Sequence, residues 1–258
     1  MIERIGFKST IPNLKNEMTV SLETSSRFVA FMAIFAALAA VLDSIPIIPG
    51  FYSGIWDSWL FLMSPLFGII LGPLGGAAAI AMGSFIGHLV YFRDPFELLF
   101  MWGAPLGAGI AGLVFQRKWK PVIIIYTGLL LAYFVTPVSW QLPLWGIWDV
   151  LVGFGILVVF SVIANTRLWP EVGEHRNVIA LLFATIIGLE SDVLFRVFIL
   201  VPCQTYWLFY GLSVEGLQIL WWGAGFVTPL KVLMAVVIGL TIGFSLIRIL
   251  PNQNSTEN

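Results

Sequence analysis

Six charged side chains fall inside the apolar runs of this 258-residue chain: Asp43, Asp149, Glu190, Asp192, Arg196 and Lys231, with His88 as a polar neighbour. A charge at the centre of a membrane helix costs about 2.5–3.5 kcal/mol on the insertion scale, so each needs a reason. Two kinds of chemistry supply one. The charges can pair inside the protein: Asp192 and Arg196 are four apart on one helix and can satisfy each other, and Lys231 can neutralise Asp149 or Glu190. Alternatively they fix a ligand, with Arg196 or Lys231 holding a carboxylate or phosphate.

Catalysis has less to work with. Ser84 and His88 are four apart, but no acid or oxyanion element accompanies them in the sequence, which disfavours a serine hydrolase. The run GLESDVLFRVFIL (188–200) is partly similar to the EExxxR motif of the CAAX-type intramembrane proteases, through Glu190 and Arg196. Ser191 replaces the second acid, and both His88 and His175 precede the motif instead of following it. An intramembrane enzyme of that type is the alternative reading. There is no phosphate loop of the form GxxxxGK[ST], no His/Cys metal cluster and no basic tract for nucleic acid. The expectation is therefore a non-enzyme with no metal and no cofactor. The single Cys203 excludes an intrachain disulfide.

The elements that position these residues follow from composition. The chain is 59% hydrophobic and 10% charged, against about 25% charged in a soluble domain. Backbone groups in lipid need partners within their own segment, so the fold is all-α, a polytopic membrane helix bundle. A polar tail (1–27) precedes eight apolar runs at 28–48, 57–71, 74–92, 97–115, 120–138, 144–165, 177–201 and 226–249, and a short tail (250–258) follows. A full crossing takes about 20 residues. Run 57–71 is short and contains Pro65, so it is tilted, partial or re-entrant; six crossings plus a partial pair is the other count. With both termini cytoplasmic, 10 of the 13 basic residues fall on the inner side, as the positive-inside rule asks. A multi-pass protein of the cell membrane, prokaryotic in style, is expected.

Depth adds a constraint. Asp43, His88, Asp149, Arg196 and Lys231 lie about five residues from the outer ends of their runs, roughly 6–9 Å down at 1.5 Å per residue. Glu190 is deeper, and the inner halves are nearly free of charge. This one-sidedness suggests a polar cavity open to the outside. Trp56, Trp59, Trp145 and Trp148 sit near the same face, as headgroup belt or as walls of a pocket. The outer segment 202–225 is long and aromatic, suited to an interfacial helix or a lid. Small residues also line up: Gly75, Ala79, Gly83 and Gly87 form one ridge, while Ala33 with Ala37 and Ala36 with Ala40 form AxxxA pairs on the first helix. Such ridges let helices approach closely.

The AxxxA-bearing first helix, the exit IPIIPG (45–50), GIILGPLGG (68–76) and the late TPLKVLMAVVIGLTIG (228–243) together resemble the substrate-binding S component of energy-coupling factor (ECF) transporters. That resemblance implies a protein that captures a vitamin or similar micronutrient from outside, without chemistry of its own. Its partners would be a transmembrane coupling subunit and cytoplasmic ATPases, docked through Ala33, Ala36, Ala37 and Ala40. Ligand-binding candidates are Asp43, Trp56, Trp59, His88, Trp145, Trp148, Asp149, Glu190, Asp192, Arg196 and Lys231. The family typically has six helices, whereas about eight are counted in this chain.

Overall fold

The computed structural model describes residues 14–47, 58–92, 94–164 and 174–245. Among them every regular element is helical, and the lone β-bridge joins Pro46 to Ser58. The helices are α1 (Leu14–Ser44), α2 (Ser64–Val90), α3 (Glu97–Phe100), α4 (Gly103–Phe115), α5 (Trp119–Val135), α6 (Trp148–Ala164), α7 (Glu174–Leu200), α8 (Thr205–Leu208) and α9 (Val214–Ile238). Five segments are long and apolar enough to cross a membrane: Ser64–Val90, Glu97–Phe115, Leu144–Ile163, Val178–Leu200 and Val214–Gly243; Phe28–Ser44 and Trp119–Val135 are shorter apolar helices. The chain is a multi-pass membrane helix bundle.

Glycines show how α1 and α2 run. A β-carbon on Gly75 would sit 2.7 Å from the Phe28 ring, one on Gly83 would sit 2.6 Å from the Ala36 carbonyl oxygen, and one on Gly87 would sit 2.7 Å from Asp43 Cβ. Both sequences advance together, so α1 and the later part of α2 are parallel. Parallel neighbours need a return leg between them. Residues 58–71 supply it: Ser58 bonds Asp43 at one end, and the leg turns back at Gly72 (φ 78°, ψ 168°), followed by Pro73. A β-carbon on Gly76 would lie 2.5 Å from Gly68 N, closer than two residues eight apart on one straight helix can be. The return covers the distance from Gly75 to Gly87, about 18 Å at 1.5 Å per residue. A 3-10 turn at Trp59–Leu62 and eight residues of α-helix suffice for that. The expected runs 57–71 and 74–92 are thus two legs of α2 with its preceding turn, folded at Gly72.

The later helices alternate. A β-carbon on Gly112 of α4 would sit 2.8 Å from Pro73 N, and one on Gly107 would sit 2.6 Å from the Gly188 carbonyl oxygen on α7. Phe160 of α6 stacks on Phe183 of α7 at 4.2 Å, and Trp119 of α5 meets Phe160 edge-on at 4.9 Å. Gly239, in the π-turn that prolongs α9, would place a β-carbon 3.0 Å from Thr185 Oγ1. Asp43, His88, Asp149, Arg196 and Thr228 consequently share one end of the bundle. The opposite half is packed with Leu66, Val114, Trp119, Leu157, Phe160 and Leu181.

Two boundaries depart from the sequence reading. The first helix starts at Leu14, inside the expected polar tail. The last starts at Val214 instead of 226, so 214–225, expected within an outer segment suited to an interfacial helix or a lid, forms its first three turns. Ser213 causes this by accepting the Gly216 amide at its hydroxyl (3.2 Å), an N-cap that satisfies an otherwise orphaned donor. The remainder of 202–225 holds only the single-turn α8.

Candidate functional site

Four elements bring polar groups to one end of α1, α2, α3 and α7. Asp43 is held at both oxygens: Ser58 Oγ donates to Oδ1 at 2.8 Å, and Oδ2 lies 2.8 Å from His88 Nδ1. The same nitrogen is 2.8 Å from the Ser84 carbonyl oxygen. Two acceptors around Nδ1 place the ring hydrogen there. Across the space, Arg196 Nε donates to Asp192 Oδ1 at 2.7 Å, the pairing expected from their spacing. Glu97 completes the rim as the first residue of α3, 2% exposed. With Leu60, Phe61, Met101 and Ala104 these groups line a cavity of about 10 Å³, room for one water molecule.

Close packing makes the site possible. A β-carbon on Gly87 would collide with the Asp43 carboxylate, and one on Gly103 would strike Asp192. The small-residue ridges therefore set the carboxylates in place as well as joining the helices.

Of the expected ligand-binding residues, Asp43, His88, Asp192 and Arg196 line this cavity. Ser58 and Glu97 belong with them and were not foreseen. Glu97 lies at the border of a run, where an acid reads as a loop residue; its signal was the apolar helix it opens. The acid missing beside Ser84 and His88 in the sequence is supplied through space by Asp43, which corrects that expectation. Ser84 still does not face a hydrolase geometry, because its hydroxyl donates to the Ile80 carbonyl oxygen of its own helix.

Asp149 and Glu190 occupy a second polar site, between α5, α6, α7 and α9. Thr228 contacts Asp149 Oδ2, and Val150 N donates to Asp149 Oδ1 at 2.9 Å. Glu190 Cγ and Tyr126 Oη would each lie 2.9 Å from a β-carbon on Gly153, one turn below Asp149. Tyr126 Oη donates to the Val150 carbonyl oxygen at 2.8 Å. Lys231, expected to neutralise Asp149 or Glu190, places its ammonium over the Phe61 ring, 5.1 Å from the centroid. Glu190 faces Gly153 while Arg196 pairs with Asp192, so the two residues of the EExxxR-like run lie on different sides of α7.

The tryptophans divide. Trp59 stacks near Phe61 at 6.3 Å, close to the cavity. Trp145 and Trp148 stack on each other at 5.8 Å, beside the second site. Pro229 has no amide hydrogen, which leaves the Gly225 carbonyl without its helical partner; Trp148 Nε1 donates to that oxygen at 2.8 Å. Trp148 thus latches α6 to α9. Trp56 lies outside the described residues. On α1, Ala36 and Ala40 pack on Gly83 and Gly87, while Ala33 and Ala37 are exposed.

The chain matches no protein-family model, no curated protein and no solved structure.

Proposed function

We propose that this protein is the membrane substrate-capture subunit of an ATP-driven importer, binding a small polar micronutrient at the cavity of Asp43, His88, Glu97, Asp192 and Arg196. The observation that carries the reading is convergence. Polar side chains from four separate elements meet at one end of the bundle, while the other half of the same helices is packed with apolar side chains. Buried charges gathered in this way are costly and mark ligand or ion sites in membrane proteins.

At about 10 Å³ the cavity is far below the roughly 300–1,000 Å³ of small-molecule pockets. Capture therefore requires the outer ends of α1 and α2 to part from α3, α4 and α7. The paired carboxylates and bases are suited to that motion, since a polar solute can replace each partner as the pair opens. Energy comes from a separate coupling subunit and its ATPases, for which the exposed Ala33–Ala37 face of α1 is the docking surface. The chain itself has no nucleotide loop.

Native mass spectrometry of the protein purified from its own membrane tests the reading. Wild type should carry a small molecule that Asp43→Asn and Arg196→Met release. A wild-type spectrum without bound solute, together with no uptake when a coupling subunit is supplied, would remove the proposal.

A further inference from the structure

The Asp149–Glu190 site is not used by solute capture, and its hydrogen count is informative. Thr228 Oγ1 contacts Asp149 Oδ2 and also lies 2.9 Å from the Ala224 carbonyl oxygen. A hydroxyl has one hydrogen to give and two lone pairs, so it cannot make a full two-centre bond to both. A proton on Asp149 Oδ2 resolves the conflict: the carboxyl donates to Thr228 Oγ1, and Thr228 donates to Ala224. The second observation is Glu190, 3% exposed, whose Oε2 is buried without a hydrogen-bond partner. Its Cβ and Cγ lie against Gly153, four residues from Asp149 on the same stripe of α6, so the Glu190 side chain sits beside the Asp149 site.

We propose that Asp149 and Glu190 form a proton-binding site inside the bundle, a carboxyl pair that takes up and releases one proton independently of the solute cavity. On release, the proton leaves Asp149 Oδ2 for water at the nearby end of α6, and the Thr228 hydroxyl turns from Ala224 to the carboxylate it now faces. Two carboxylates buried together do not both ionise readily, which makes the proton a shared property of the pair. The groups surrounding it are Tyr126 on α5, Glu190 on α7, and Thr228 and Lys231 on α9, with Asp192 and Arg196 turned to the other side of α7. The pair gives the protein a pH input beside its solute site.

Infrared spectroscopy of the full chain in lipid nanodiscs tests this without any solute. Wild type should show a protonated carboxyl band at neutral pH that titrates away with release of one proton. Asp149→Asn should move the band and its midpoint, since Glu190 alone is left to carry the proton, yet melt cooperatively, because its amide donates to Thr228 as the acid did; the band should vanish when both are replaced. Glu190→Gln should keep the band but move its titration midpoint by about one pH unit or more. The proposal falls if no protonated carboxyl is seen at any pH where the protein is folded, or if the band survives both substitutions. It falls as well if the band appears only in Lys231→Met, which would make Lys231 the counter-ion. A melting temperature raised by sodium over choline, with no band, would make this a metal-cation site and overturn the proton.

Discussion

Glu190 and Arg196, six residues apart on α7, point into two different polar sites. At 100° per residue they are about 120° apart around the helix, whereas Asp192 and Arg196 are about 40° apart. Asp192 is therefore the partner Arg196 meets, at 2.7 Å, and Glu190 is left to face Gly153 and Tyr126.

This pairing separates stability from solute binding. Arg196→Ala removes the Nε bond to the buried Asp192 carboxylate and should cost about 1.5–3 kcal/mol, as losing a hydrogen bond to a charged group does. Replacing both partners, as Asp192→Leu with Arg196→Met, should restore most of that stability, because a buried pair exchanged for apolar side chains of similar volume costs little. Solute binding should be lost in the single and the double variants alike. Thermal unfolding in detergent, read beside ligand retention, checks this; a double variant that still binds solute would show that the pair is only structural.

The two AxxxA pairs of α1 make opposite predictions. Gly83 leaves no room for a side chain, since its β-carbon would press on Ala39 and on the Ala36 carbonyl oxygen. Gly83→Leu should then destabilise the bundle by about 1–3 kcal/mol or more through overpacking. Ala37 is exposed, so Ala37→Trp should leave the melting temperature nearly unchanged while blocking co-purification with a coupling subunit. A large loss of stability in Ala37→Trp would place that face inside the bundle and rule out the docking role proposed for it.

The helical class, the one-sided charges and the Asp192–Arg196 pair were legible because each rests on local spacing. The pairing of Asp43 with His88 was not, since it depends on α1 and α2 running parallel. That in turn depends on the reversal at Gly72, whose glycine and proline signal a break without giving its angle. Position 214 was missed as the start of the last helix because the aromatic residues after it read as a separate interfacial helix or lid. Ser213 with Glu215 in the first turn was the available sign. The placing of Lys231 over the Phe61 ring was not legible either, because charge alone does not signal the contact of an ammonium with an aromatic face.

Cys203 reports topology without engineering, being the chain's only cysteine. It is exposed, in the turn after α7, at the end of the bundle that holds both polar sites. A membrane-impermeant maleimide should label it on intact cells if that end faces outward; labelling confined to inverted vesicles would reverse the assignment. Partial burial pushes its thiol above the ordinary range, and the thiolate is the reactive form. Below that raised value less thiolate is present than for a free cysteine. Labelling should thus be slow at neutral pH and keep accelerating beyond about pH 8.5, where a free thiol levels off.

The return leg 58–71 rests on the conformation of one residue, and two glycines of opposite character test it. Gly72 has φ 78°, a conformation in which an L side chain crowds its own backbone. Gly72→Ala should cost about 1–3 kcal/mol for that reason alone, despite the absence of any nearby atom closer than 3.5 Å to its β-carbon. Gly128 lies within α5 with nothing near its β-carbon. Alanine there removes the backbone freedom of glycine without a clash, and should stabilise the bundle by about 0.5–1 kcal/mol. The sign of the difference is what matters. A straight helix through Gly72 would gain from alanine just as α5 does, so stabilisation by both substitutions in a denaturant titration would remove the fold-back. Without it, Ser58 could not reach Asp43 and the parallel pairing that sets Asp43 beside His88 would have no connection.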